Sequence, residues 1–86
     1  MAIPQKVGAH WVLVDTQKQP GPGDRWKARW AVYADETTAM LAEEPSTIGA
    51  LVSGTTAIFN SEHAALLKGQ EDAARSGAVI SGTYRD

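Results

Sequence analysis

The chain has 86 residues, no cysteine, a formal net charge of −2, and 43% hydrophobic against 21% charged residues. The length points to one domain with one modest core, since chains of this size bury roughly 60–65% of the surface they expose when unfolded, and the ordinary composition excludes a wholly disordered chain. The missing cysteines remove disulfides, thiolate metal sites and a cysteine nucleophile, while the slight acidity argues against bulk electrostatic binding to nucleic acid or to an anionic membrane. No apolar run approaches the ~18 residues of a membrane span, and the N-terminal apolar run is too short for a signal peptide. Residues 1–86 are therefore read as a single cytoplasmic domain without a membrane partner, residues 1–8 being a flexible N-terminal segment.

His10–Gln17 (HWVLVDTQ) is β-branched and aromatic, a good strand. Lys18–Asp24 (KQPGPGD) alternates proline and glycine and breaks it into a loop. Arg25–Ala34 (RWKARWAVYA) reads as a second strand, and the two form a hairpin. With Gln17 opposite Arg25, Asp15 faces Lys27, Leu13 faces Arg29, Val14 faces Ala28 and Val12 faces Trp30. One face then gathers Val12, Val14, Trp26, Ala28, Trp30 and Val32, and the other is mixed; a slip of one residue would scramble this sorting.

Asp35-Glu36 turns the chain. Thr37–Pro45 (TTAMLAEEP) has helix formers and a capping aspartate, but as a helix it would put Glu43 and Glu44 at the negative end of the dipole. As a third strand it would set Leu41 against Trp30, Ala39 against Val32 and Glu44 against Lys27, and this arrangement is favoured. Pro45–Gly54 begins as a loop, and Thr55–Asn60 (TTAIFN) reads as a further strand.

The clearest helix starts at Ser61, a good N-cap, and runs to about Ser76, with Gly77 as its stop. Leu66, Ala73, Leu67, Ala74 and Ala65 make a narrow apolar stripe of mostly small residues, so the helix can lie close to a sheet; Gly69 permits a still closer approach. Gly49–Thr55 (GALVSGT) and Gly77–Thr83 (GAVISGT) agree at five of seven positions. Coincidence explains the match in a chain rich in small residues; a pair of similar short strands is the other reading, and for the second copy a continued helix competes. The fold class is α+β: an antiparallel sheet of three to five strands, beginning as a meander, with one helix on the Trp26/Trp30 face.

Chemistry is sparse. The two histidines, His10 and His63, lie in different elements, no G-x-S-x-G occurs, and neither histidine has zinc-site spacing. GPGD at Gly21–Asp24 lacks the Lys and the following helix of a phosphate loop. No catalytic residue, metal ligand or cofactor is assigned, and a non-enzymatic protein is expected.

The basic residues Arg25, Lys27 and Arg29 point away from Trp26 and Trp30, because side chains alternate along a strand. Single-strand binding needs cations and aromatics on one surface, which leaves Arg25, Lys27, Arg29 and Tyr33 as the alternative nucleic-acid-binding set. The leading candidate is protein binding through Trp11, Leu13, Arg29 and Tyr33, an aromatic and arginine cluster of the composition that interfaces favour. The partner is another protein or a second copy of the chain, unless the C-terminal residues Val79, Ile80 and Tyr84 fold over that face. Small acidic chains of this kind suit accessory, regulatory or inhibitory roles, such as those encoded by phages and mobile elements.

Overall fold

The computed structural model describes residues 3–81. Four strands, β1 (Gln5–Val7), β2 (His10–Lys18), β3 (Trp26–Tyr33) and β4 (Val52–Thr55), and two helices, α1 (Glu36–Ala42) and α2 (Glu62–Ser81), follow in the order β1-β2-β3-α1-β4-α2. The strands form one antiparallel sheet in the order β1-β2-β3-β4. The α+β class and the meander start agree with the sequence. The N-terminal segment expected to be flexible contributes β1, which pairs with β2 from Gln5↔Val12 to Val7↔His10.

The β2–β3 hairpin forms with both faces as expected but in a register displaced by two residues. Trp11 pairs with Tyr33, Val12 with Val32, Val14 with Trp30 and Asp15 with Arg29. A shift of two returns every side chain to the same face, so the apolar sorting is equally good in both registers. The loop decides between them. The Gln19 backbone amide donates to the Arg25 carbonyl at 2.7 Å, and Gly21 and Gly23 take φ of 108° and 82°, which centres the turn on Pro22, one residue later than the expected register would put it.

Residues 37–45 are not a strand. Asp35 accepts hydrogen bonds from the Thr38 amide and the Thr38 hydroxyl, both at 2.8 Å, and α1 starts there. The helix buries Ala39 against Leu13, Ala31 and Tyr33, with Trp11, Ala42 and Ala50 around them. The cap together with this apolar contact outweighs the unfavourable position of the acids at its C-terminus. β3 therefore takes β4 as its outer neighbour, pairing from Arg29↔Thr55 to Val32↔Val52. The strand expected over residues 55–60 lies earlier. After Thr56, whose amide donates to Ala28, the chain bulges and rejoins β3 only at the Trp26↔Phe59 bridge.

α2 is capped by Ser61, whose Oγ accepts from the Ala64 amide at 3.1 Å. It runs through Gly77, which is therefore not its stop, and the helical reading holds for residues 77–81; the matching residues 49–53 lie in a loop and the start of β4. Its sheet-facing row is Ala65, Gly69, Ala73 and Gly77, all buried and spaced by four, whereas Leu67 and Ala74 of the expected stripe are exposed. A Cβ on Gly69 would stand 2.6 Å from the Ala28 Cβ and 2.9 Å from Val14 Cγ1. Val12, Val32 and Ala73 form this side of the core, flanked by Val7, Val14, Trp30 and Val52. Trp26 and Trp30 are half-buried rather than central. The Trp30 ring lies over Gly54, where a Cβ would be 2.6 Å from Cζ2.

Candidate interaction surface

The fold puts α2 on one sheet face and α1, with the loop after it, on the other. That second face is the one carrying Trp11, Leu13, Arg29 and Tyr33, and it is covered. Leu13 and Tyr33 are 0% exposed, so neither offers area to a partner. Trp11 is half-buried at the margin of the α1 cluster. The cover comes from α1; Val79 and Ile80 lie on α2 and are exposed, and Tyr84 lies outside the described residues.

The Tyr33 hydroxyl is fixed from both sides, donating to the Ser46 carbonyl and accepting from the Ser46 amide, each at 3.2 Å. Arg29 is equally committed. Its Nε and Nη2 donate to Asp15 at 3.1 and 2.7 Å, and Nη2 lies 3.7 Å from Glu44. Bonding to Asp15 holds the guanidinium still more firmly protonated than usual; partial burial opposes this, and the charges of Asp15 and Glu44 add to it. The expected partner of Asp15 was Lys27; the two-residue shift of register gives it Arg29 instead.

These contacts also bear on the nucleic-acid set. Tyr33 cannot stack on a base, and the charge of Arg29 is matched by two carboxylates. Arg25 at the loop end and half-buried Lys27 remain, on a surface with no aromatic beside them from that set. Among the described residues no three His, Asp or Glu side chains gather as a metal site would require, and no helix is long and apolar enough to cross a membrane.

What the sequence reading missed is the outer surface of the α1 layer. Ala39 faces the core, so Leu41, two residues on, points outward, and Met40 projects to one side. Thr38 packs against the loop at Gly49, next to Ile48, and Leu41 stands one turn beyond Thr38 on that side. Met40, Leu41, Ile48 and Leu51 are exposed by 61, 79, 86 and 51%. The pattern was present in TTAMLA and TIGALV, but only a helical reading of residues 36–42 separates Ala39 from Leu41.

Beside this layer a cavity of about 350 Å³ opens between the loop and the sheet, with Arg29, Glu44, Ser46, Thr47, Ser53 and Thr55 among its walls. A strained turn shapes its rim. Glu43 takes φ 64° and ψ −37°, and the Glu44 amide donates back to the Ala42 carbonyl at 2.6 Å, a γ-turn of the rare positive-φ kind. This reversal carries Glu44 towards Arg29 as the chain leaves α1. In comparisons with known proteins the chain shows no significant match to a family model, a curated protein or a solved structure.

Proposed function

We propose that the chain is a small, non-enzymatic protein-binding module of accessory, regulatory or inhibitory type, contacting its partner through the outer side of α1 and the loop leading to β4. The observation that carries this reading is the concentration of exposed apolar side chains there. Met40, Leu41, Ile48 and Leu51 fall within one short segment and all are more than half exposed. Large apolar groups concentrated on a surface favour association, because covering them releases water at roughly 25 cal/mol per Å². With Leu13 and Tyr33 buried, the proposed contact is taken one layer further out than the sheet face read from the sequence.

Two experiments test the reading. Sedimentation of the purified chain over a range of concentrations determines whether the partner is a second copy. Capture from lysate, with and without nuclease, then compares wild type with the Leu41→Asp/Ile48→Asp double variant and with Leu67→Asp, which changes an exposed leucine on α2. A protein that survives nuclease, disappears with the double variant and remains with Leu67→Asp supports the reading. Partners lost on nuclease treatment would instead favour nucleic acid.

A further inference from the structure

β4 is an edge strand: among the described residues no strand pairs with its outer side. In an antiparallel ladder the main-chain groups of successive residues point alternately to the two neighbours. The Thr56 amide donates inward to Ala28, so the N–H and C=O groups of Ser53 and Thr55 point outward. Edges are commonly blunted by lysine, proline or a bulge. Val52–Thr55 has no charge and no proline, and the bulge follows the strand instead of interrupting it.

Ser53 and Thr55 serve the edge and the cavity at once. Their main chains face the open side, while their side chains lie on the α1 face, Ser53 Oγ standing 3.3 Å from Thr47 Oγ1. A strand laid along β4 would therefore run past the cavity mouth. The cavity wall carries one cation, Arg29, and one acid, Glu44; Arg29 is already bonded to Asp15 outside the wall, which leaves the Glu44 carboxylate the less tightly paired of the two acids. The Glu44 side chain is 66% exposed and its 3.7 Å approach to Arg29 is loose, so it can turn to an incoming cation.

We infer that an extended peptide segment adds to the outer edge of β4 as a fifth strand and places a lysine or arginine side chain over Glu44 in the cavity. This rests on the protein-binding reading and names its mode: main-chain hydrogen bonds at Ser53 and Thr55, a basic anchor at Glu44, and apolar contact with Leu51 and Ile48 beside them.

The test titrates the ¹⁵N-labelled chain with a short peptide of alternating threonine and valine carrying one central lysine. Parallel titrations use the same peptide with glutamate at the centre and two versions N-methylated on alternate amides, one set on each side. Strand addition predicts slowed exchange of the Ser53 and Thr55 amides. It also predicts loss of binding for one N-methylated version only, and weakening of roughly tenfold or more for the glutamate peptide or for the Glu44→Gln variant, as expected of a close charge pair. Equal binding of the lysine and glutamate peptides, or shifts confined to residues 40–51, would overturn it. Concentration-dependent protection of Ser53 and Thr55 without peptide would also overturn it, showing a second copy on the edge. Binding of none of the peptides would sink strand addition, while Leu41- and Ile48-dependent capture would still uphold the broader reading.

Discussion

α2 comes so close to β3 that a Cβ on Gly69 would lie 2.6 Å from the Cβ of Ala28. The contact is between backbone-proximal atoms, with no flexible side-chain end to give way. In an exposed helix Gly→Ala is worth up to about 1 kcal/mol in favour of alanine. Here overpacking of about 1–3 kcal/mol opposes it, and Gly69→Ala is expected to destabilise. At Gly77 the nearest atoms, on Val7, are 3.1 and 3.2 Å away and belong to a short edge strand, so Gly77→Ala should be close to neutral. Urea unfolding of the two variants checks the order; a stabilised Gly69→Ala would mean that the helix stands further from the sheet.

How far the sequence was legible follows from what each signal can distinguish. The alternating pattern of β2 and β3 defines faces, and both faces were read correctly. It is blind to a slip of two, and the pairing was settled by loop geometry and by Asp15 meeting Arg29. Ser61 announced the start of α2, whereas Gly77 looked like its stop because glycine serves both as a helix terminator and as a means of close packing. The seven residues of α1 are too few for periodicity to separate helix from strand, and a capping contact plus one buried alanine decided it. That one segment governed the site. Read as a strand, it left Leu13 and Tyr33 exposed; as a helix, it buries them and leaves Leu41 exposed instead.

Tyr33 ties the sheet to the loop through both hydrogen-bonding capacities of its hydroxyl. Tyr33→Phe keeps the ring packing and strips the Ser46 amide and carbonyl of their partner. A loss of about 1 kcal/mol is expected, with increased amide exchange at Ser46. An unchanged unfolding midpoint would show that water replaces the hydroxyl without cost.

The γ-turn at Glu43 invites a stabilising substitution. Positive φ strains a residue with a Cβ by about 1–3 kcal/mol, while glycine costs about 0.5–1 kcal/mol in chain entropy. The strain is the larger effect, so Glu43→Gly should raise stability, by up to about 1 kcal/mol. Thermal unfolding measures it, and a clear loss would place the turn in an unstrained conformation.

Asp35 couples α1 to pH. Its carboxyl is held below the usual aspartate range first by the Thr38 amide and then by the Thr38 hydroxyl. The folded value being lowered, the contribution is fully present above the unfolded aspartate value of about 3.9 and is lost as pH falls through the lowered folded one. An NMR titration should give a midpoint for Asp35 below that of an unstructured aspartate, with the Thr38 amide shift following it, and Asp35→Asn should abolish the Thr38 transition. A midpoint at or above the ordinary value would contradict the cap.

We propose a partner protein against the α1–β4 layer. Site-specific photo-crosslinking in cells of the source organism tests it most directly, with a benzophenone side chain replacing Ile48 in one variant and Leu67 in another. A partner seated there gives a discrete protein adduct from position 48 and none from position 67. No adduct at 48, or the same adducts from both positions, would contradict it.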